Sequence, residues 1–329
     1  MGARTARVQP RERFPWRMAL LLIAAGSIAY ANSLSVPFLF DDKTNILENA
    51  RFQQLWPLED VLRDTTRPVT DLSFAINYAL GGPSVRGYHV VNLAVHLLAA
   101  LVLFGLVFRT LRRFDSRPEH GQRARWQAFA VALLWLLHPL QTESVTYIVQ
   151  RAEALMGLCF LLTLYCVARG AESPHGKGGY LLAVIACALG MWSKPVMVAA
   201  PLVALLYDRA FLARSWREVW RERWALHAGL AATWLLLVVA PSGHETYETT
   251  AGFGVKLFSS GSYMLTQLGV IAHYLRLAVW PAGLVFDYSW LPVTSFEEVL
   301  LPSLLIGALI AATIWVWRRH PALGFVGAW

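Results

Sequence analysis

The chain has 329 residues, of which 56% are hydrophobic and only 15% are charged; its mean hydropathy is +0.45 and its formal net charge is +8. An ordinary soluble domain carries more charge and fewer apolar residues, so this composition excludes one and predicts membrane helices. The net positive charge does not indicate a nucleic-acid-binding protein, because the arginines stand in short patches between apolar runs, where they orient the chain in a membrane.

The first apolar run covers residues 17–34 and follows a basic amino terminus. We expect an uncleaved membrane helix rather than a signal peptide, because no small-residue cleavage site follows the run. The positive-inside rule keeps the basic terminus in the cytoplasm, so residues 35–86 form a long, polar external loop. The rest of the chain, residues 87–329, is predicted to complete one helical membrane domain.

Apolar runs and arginine clusters alternate beyond this loop. The second predicted apolar run covers residues 87–108, and the third leaves the membrane on the outer side near His138. The fourth follows the outside turn 138–153. Two shorter runs cover 180–192 and 195–207, and another covers 225–239. Ser193, Lys194 and Pro195 separate the two shorter runs, which therefore form a hairpin or a broken pair. A polar external loop is expected at 241–262.

The membrane topology of the last part of the chain is predicted from the positions of its charges. If residues 263–280 crossed the membrane fully, Arg318 and Arg319 would lie outside, against the positive-inside rule. We therefore predict a re-entrant or interfacial segment there, with Arg276 facing a polar cavity. Because an apolar run lies close to Trp329, we expect these residues to be the membrane half of a longer design.

Two adjacent carboxylates, Asp41 and Asp42, follow the first helix in the sequence Phe38-Leu39-Phe40-Asp41-Asp42. Adjacent acids in a loop often serve only as a solvated loop start or a helix cap. Their position just outside the first membrane helix makes them candidate catalytic residues. They also permit a divalent cation, but two carboxylates without a wider ligand set do not define a metal site.

The second predicted helix carries a polar stripe. Spacings of three and four place His89, Asn92 and His96 on one face, which should point into the bundle because polar groups are costly in hydrocarbon. Hydrogen bonding between helices is the simpler role for Asn92 and His96. His89 lies nearest the outer surface, so it is the better candidate for lining a substrate cavity.

A third group of polar residues lies on the same outer side. His138, Glu143 and Glu153 are candidate cavity residues, and Arg151 either forms a salt bridge with Glu143 or Glu153 or binds a phosphate. Further cations stand near predicted helix ends and are either phosphate ligands or side chains that reach the lipid headgroups: Arg67, Lys194 and Arg276. The chain has no phosphate-binding Gly-rich loop, no Gly-x-Ser-x-Gly and no His-Glu-x-x-His, which disfavours an ATPase, a serine hydrolase and a zinc protease.

Taken in order, these motifs resemble the transmembrane and tetratricopeptide-repeat O-mannosyltransferases of the GT-C glycosyltransferase superfamily. The motifs are Phe40-Asp41-Asp42, Arg67-Pro68 with Asn77-Tyr78, Tyr88-His89 with Asn92 and His96, His138-Pro139 through Glu143 to Glu153, and Lys194-Pro195. The resemblance covers the membrane portion only, since the tetratricopeptide repeats of that family are absent from these residues. It implies an all-α polytopic membrane protein with a GT-C-like bundle of about 8–10 membrane helices.

By the same resemblance, the chain is expected to move a sugar, with mannose as the expected one, from a polyprenyl- or dolichyl-phosphate lipid to a Ser/Thr hydroxyl of a protein. The reaction would take place on the periplasmic or luminal face of the cell inner membrane or the endoplasmic reticulum membrane. Asp41 would be the general base and Asp42 its helper, with Arg151, Lys194, Arg67 and Arg276, in that order, as ligands of the donor phosphate.

Two other functions fit the same sequence. A transporter or lipid-carrier flippase would also use a broken helix near Pro195 and polar groups within the membrane. A catalytically silent membrane scaffold is the third alternative. The gathering of candidate residues on one face, rather than near the midplane, favours the transferase.

Overall fold

The computed structural model describes residues 15–63, 65–114, 118–173, 176–239, 260–288 and 290–329. The predictions for the basic amino terminus before residue 15, and for the external loop up to residue 259, lie outside the described residues. The described residues form helices and connecting turns, without strands. This confirms the all-α class predicted from the sequence.

Among the described residues we number twelve helices in chain order. They are α1 (Trp16–Ala29), α2 (Pro68–Gly81), α3 (Val85–Phe114), α4 (Pro118–Leu137), α5 (Arg151–Glu172), α6 (Lys177–Met191), α7 (Ala200–Tyr207), α8 (Trp216–Ala232), α9 (Leu235–Val239), α10 (Ser260–Val279), α11 (Phe296–Arg319) and α12 (Pro321–Ala328). Shorter helical turns connect them: Ala31–Ser35, Lys43–Leu47, Ala50–Gln53, Leu58–Leu62, Pro139–Gln141, Thr142–Thr146, Ile148–Gln150, Pro195–Ala199 and Asp208–Leu212.

Four helical segments of the described chain are long and apolar enough to cross a membrane. They are Val85–Phe114, Ile148–Glu172, Pro195–Leu212 and Phe296–Arg319. Helices α1 and α6 are also apolar but shorter, with 14 and 15 residues. The chain is therefore a polytopic membrane protein. The total of 8–10 membrane helices and the interfacial placement of residues 263–280 stay predictions.

Helix α3 lies at the centre of the bundle and packs against α1, α4 and α5, while α6 packs against α5. Small side chains fill these interfaces: Ala99, Ala100, Ala128, Ala132, Ala168 and Ala183 are all buried. Small residues let membrane helices approach closely, because packing rather than water exclusion drives helix association in lipid. The predicted break between the two short apolar runs is confirmed, since α6 ends at Met191 and a new helical turn begins at Pro195.

The described residues between 35 and 86 form a folded helical segment rather than an open polar loop. Its buried residues Ile46, Phe52, Val61 and Phe74 make a small core together with Tyr88 and Ile148. Helix α2 begins with Pro68 in its first turn and ends before Gly82, whose φ of +60° suits glycine. Burying these apolar side chains orders the segment over one end of the bundle, which we call the acid-loop end.

Buried charged side chains hold the helices together at the other end of the bundle. We call this end the opposite end. Asp208 is fully buried and accepts hydrogen bonds at 2.8 Å from Arg223 Nε and from His227 Nε2. Arg223 has non-helical backbone angles, so α8 is kinked where it meets Asp208. Phe325 of α12 packs against Tyr207 and Phe211 at this end. The carboxyl end of α11, with Arg318 and Arg319, therefore lies at the same end as Arg112 and Arg113 in the last turn of α3.

Candidate functional site

The two adjacent aspartates have opposite surroundings. The Asp42 side chain is buried, with 1% of its surface exposed, whereas Asp41 is exposed. Asp42 accepts the backbone N–H of Leu39 at 3.1 Å with one carboxylate oxygen and that of Val149 at 2.7 Å with the other. Asp42 thus ties the acid loop, residues 36–42, to the turn that leads into α5, and leaves Asp41 as the accessible acid.

The environment of Asp42 also affects its ionisation. Burial raises the pKa of Asp42 above its ordinary value, while the hydrogen bonds from Leu39 and Val149 and the nearby His89 act in the opposite direction. The buried carboxyl group is held by two backbone donors and points away from solvent. It is therefore suited to fixing the loop rather than to exchanging protons with a substrate.

Tyr147 is a site residue that the sequence did not reveal. Its hydroxyl accepts the backbone N–H of Asp41 at 3.1 Å, and burial together with the charges of Asp41 and Asp42 raises its pKa to about 12. The phenol therefore stays protonated at neutral pH beside the Asp41 carboxylate. No sequence signal predicts this contact, because the two residues are 106 positions apart.

An aromatic cluster supports the acid loop from the carboxyl-terminal part of the chain. The ring of Phe286 stacks on Phe40 at a centroid distance of 4.6 Å and meets Tyr147 edge-on at 4.8 Å. Phe40 has a φ of +41°, which is costly for a bulky side chain and persists only where neighbouring contacts enforce it. The residue before the exposed acid is therefore held in a strained conformation by its neighbours.

The polar stripe on α3 is buried within the protein. His89 Nε2 lies 2.8 Å from the carbonyl of Val36, at the start of the acid loop. Asn92 donates to the carbonyls of Val145 and Ile148, and His96 Nε2 lies 3.0 Å from the carbonyl of Leu136. The structure thus places His89, the better candidate for lining a cavity, as a support of the acid loop. Asn92, for which hydrogen bonding is the simpler role and cavity lining the alternative, supports the segment that the loop contacts.

Arg151 occupies a different position from the one expected of a phosphate ligand. Its side chain is fully buried and makes no salt bridge with Glu143 or Glu153 in the part of the chain described. Its N–H groups donate to neutral acceptors. Nε donates to the Asn92 side chain at 2.7 Å, and Nη2 donates to the Asn77 side chain at 2.8 Å and to the Tyr88 carbonyl at 3.1 Å. Nη1 donates to the Ser73 carbonyl at 3.2 Å and lies 3.5 Å from the Ser73 hydroxyl. The guanidinium also lies over the Phe74 ring at 4.4 Å. With its donors engaged, Arg151 joins α2, α3 and α5 instead of facing a ligand.

Lys194 and Glu153 form an ion pair near the acid loop. Lys194 Nζ lies 2.7 Å from Glu153 Oε2, and the two side chains are 23% and 36% exposed. Glu153 stands one helical turn after Val149, which binds Asp42. The pair is therefore accessible and lies close to the acid loop.

Arg67 is brought towards Lys194 by backbone contacts. Val69 N donates to Trp192 O at 3.2 Å and Thr70 Oγ1 donates to Ser193 O at 3.2 Å, so the amino end of α2 lies on the turn before Lys194. Arg67 directly precedes α2 and is half-buried. The residues next to two of the predicted phosphate-binding cations are thus in contact with each other.

The remaining predicted residues lie around the end of α10. His138 Nε2 donates to Ala278 O at 3.2 Å and its Nδ1 accepts the N–H of Leu140, so its proton is on Nε2. Glu143 is exposed and accepts a hydrogen bond from Gln150 at 3.0 Å. Arg276 is exposed on the last turn of α10. These residues lie on the acid-loop end, with His138 partly enclosed and Glu143 and Arg276 open to the outside.

Comparison with known proteins assigns the chain to a family. Residues 68–243, more than half of the chain, match the dolichyl-phosphate-mannose-protein mannosyltransferase family. The chain belongs to this family. The matched residues include Arg151, Lys194, His89 and His138, whereas the acid pair lies before residue 68.

Individual proteins also match this mannosyltransferase-family chain, in one case over more residues than the family model does. The protein O-mannosyl-transferase F38B6.6 of Caenorhabditis elegans is 30% identical over 290 residues, which cover 83% of this chain and 39% of the relative. The protein O-mannosyl-transferases Tmtc1 of Drosophila melanogaster and TMTC4 of Homo sapiens are 30% and 32% identical and are covered to 22% and 24% of their lengths. The chain thus spans well under half of these relatives. No solved structure matches it.

The described residues of this family member contain no group of three or more His, Cys, Asp and Glu side chains that could hold a metal ion. Of the two adjacent acids, Asp42 uses both carboxylate oxygens to accept backbone N–H groups. The acid-loop end presents an exposed carboxylate, a protonated phenol and nearby cations.

Proposed function

We propose that this chain transfers mannose from a polyprenyl- or dolichyl-phosphate lipid to a Ser/Thr hydroxyl of a protein, at the acid-loop end, on the non-cytoplasmic face of the membrane. Membership of the mannosyltransferase family supports the reaction class. One observation carries the assignment of the site: Asp42 anchors the acid loop to Val149, one helical turn before the Glu153–Lys194 pair. An accessible acid and an accessible cation are thereby supported by the same turn.

The exposed carboxylate of Asp41 is assigned as the general base. As the acceptor oxygen forms a bond to the anomeric carbon of mannose, the bond from that carbon to the phosphate oxygen breaks. The phosphate leaves with the electron pair, and the hydroxyl proton passes to Asp41. Asp42 and the Tyr147 hydroxyl position Asp41 through the loop backbone.

The leaving phosphate is assigned to Lys194 and Arg67. Lys194 carries a compact charge on a flexible stem, and Glu153 holds it beside the acid loop until a phosphate competes for it. Arg67 approaches the same turn through α2. Cations placed where negative charge develops stabilise the transition state more than the ground state. Arg151 supports this arrangement from inside the protein, and Arg276 extends the positive charge at the outer surface.

The test is a transfer assay with purified protein in lipid nanodiscs, labelled polyprenyl-phosphate mannose and Ser/Thr peptides. We expect transfer by the unmodified chain and its loss in Asp41→Asn, while Asp60→Asn, an exposed acid in the same external segment, keeps full activity. Full activity of Asp41→Asn would remove Asp41 as the base. Donor binding without transfer to any hydroxyl acceptor would overturn the proposed reaction and favour lipid transport.

The face of the membrane is tested separately by cysteine labelling. Thr44→Cys, exposed two residues after the acid loop, should react with an impermeant maleimide added to the periplasmic or luminal side. Arg221→Cys, exposed at the opposite end, should react only after the membrane is permeabilised. The reverse pattern would place the acid loop in the cytoplasm and contradict the proposed orientation.

A further inference from the structure

A groove of about 810 Å³ opens at the opposite end of the bundle, between the carboxyl half of α3, the turn after α7 and helix α12. This volume lies within the range of small-molecule sites. Apolar side chains line most of the groove, among them Leu106, Val107, Phe114, Phe211 and Val326. The proposed transfer reaction makes no use of it.

The polar groups in the groove wall are already bonded to each other. Thr110 donates to Leu106 O at 2.8 Å, so the Tyr207 hydroxyl, 2.6 Å from Thr110 Oγ1, donates to Thr110. Both hydroxyl groups therefore already donate a hydrogen bond within the protein, and neither needs a ligand as acceptor. The wall therefore suits a hydrocarbon chain better than a polar ligand.

The groove carries positive charge at one edge. Arg319 and His320 line it and are exposed, and the Arg319 guanidinium lies over the Trp315 ring at 4.2 Å. Within the described ranges, Arg319 has no carboxylate within salt-bridge distance. A guanidinium that stacks on an aromatic ring keeps its N–H edge free, and that edge binds phosphate oxygens in pairs.

The wall formed by α12 is preformed. A Cβ atom at Gly324 would lie 2.4 Å from Trp317 Cα, so glycine permits α12 to fold tightly back on α11. On the other side Phe325 is buried between Tyr207 and Phe211. The groove is thus part of the folded bundle and does not depend on a loop closing.

We propose that this groove binds an anionic phospholipid, with an acyl chain along the apolar wall and its phosphate at Arg319. Measured along α3 from Tyr88, the groove residues begin about 20 Å away, at Leu103, and end about 40 Å away, at Phe114. This distance separates the groove from the acid-loop end. The opposite end carries Arg112 and Arg113 in the last turn of α3, and basic segments at a membrane surface attract anionic lipids. The site is independent of the proposed transferase activity.

The experiment compares lipid retention by the whole chain. Protein in nanodiscs with equal amounts of phosphatidylglycerol and phosphatidylcholine is delipidated in steps, and bound lipids are counted by native mass spectrometry. We expect phosphatidylglycerol to be retained and Arg319→Gln to weaken its retention about fivefold. Arg318→Gln removes the same charge one residue away from the groove lining and should have little effect. Ala322→Trp, which fills the groove, should reduce retention of both lipids.

Three results would overturn the proposal. Equal effects of Arg318→Gln and Arg319→Gln would mean that only general surface charge attracts the lipid. Equal retention of the two phospholipids would mean that the groove has no headgroup preference. Displacement of phosphatidylglycerol by polyprenyl phosphate, with the same dependence on Arg319, would identify the groove as a site for the sugar carrier instead.

Discussion

The carboxylate of Asp42 accepts the backbone N–H of Val149 at 2.7 Å, although the two residues are 107 positions apart. The same side chain also accepts Leu39 N–H, and its neighbour Asp41 faces outwards. The two adjacent aspartates therefore differ in position: Asp42 holds the loop in place, and Asp41 lies at its surface. This division predicts that their replacements will have different effects.

We predict that Asp42→Ala lowers the free energy of unfolding by about 2–4 kcal/mol, because two buried N–H groups lose their acceptor. Asp41→Ala should change it by less than about 0.5 kcal/mol, since the side chain is exposed, yet it should abolish transfer. Thermal unfolding in detergent and the transfer assay measure the two effects. Equal destabilisation by both variants would contradict the separate roles.

The hydroxyl of Tyr147 is predicted to position Asp41. Tyr147→Phe keeps the ring contact with Phe286 but loses the acceptor for Asp41 N–H, so kcat should fall about tenfold while the KM for the lipid donor stays unchanged. Steady-state kinetics separates these quantities. Tyr165→Phe, which removes a hydroxyl at the opposite end, is the control and should match the unmodified protein. A rise in donor KM alone would show that Tyr147 binds the donor.

Arg151→Lys is predicted to destabilise the protein strongly, by about 2–3 kcal/mol. Lysine has three donors on a single nitrogen and cannot reach Asn77, Asn92 and Ser73 as the planar guanidinium does, so buried acceptors lose their partners. The midpoint of thermal unfolding should fall, and adding the lipid-phosphate sugar donor should raise it again only slightly. A stable Arg151→Lys variant with a raised donor KM would instead show direct phosphate binding.

The Lys194–Glu153 pair should affect donor binding more than stability. Lys194→Gln is expected to raise the KM for the lipid donor about tenfold, whereas Glu153→Gln should leave it unchanged or lower it, because the carboxylate no longer competes for the ammonium group. Both variants should keep stability within about 1 kcal/mol, as is usual for partly exposed pairs. Similar kinetics for the two variants would argue against phosphate binding by Lys194.

Asp71 is predicted to contribute to the pH dependence of stability. It lies in α2, accepts a hydrogen bond from Thr65, and burial raises its pKa above the ordinary value of 3.8. The folded chain therefore binds this proton more tightly than the unfolded chain does. The resulting stabilisation is present below about pH 3.8 and is lost as the pH rises through the folded-state pKa.

Asp71→Asn keeps the acceptor for Thr65 but cannot titrate, so its thermal midpoint should fall less than that of the unmodified protein between pH 4 and pH 7. Asp60→Asn, at an exposed position, should keep the original slope. A parallel pH profile for Asp71→Asn would exclude a contribution from Asp71.

The amino-acid sequence by itself determined the class of this protein, the break before Pro195 and the position of the acid pair after the first helix. These features follow from local composition: apolar runs long enough for a bilayer, a proline at a helix start, and charge beside an apolar segment. The family also follows from sequence, since it depends on residue types in a fixed order.

Only the tertiary structure decided which polar groups remain partly exposed and which are buried in the protein. Arg151 and Lys194 are both cations near helix starts, yet one is buried among Asn77 and Asn92 and the other remains accessible beside Glu153. Tyr147 contacts Asp41 because folding brought these distant residues together. Hydrogen-bond partners more than 50 residues apart depend on helix packing and rotation, and the local pattern of a sequence does not contain that geometry.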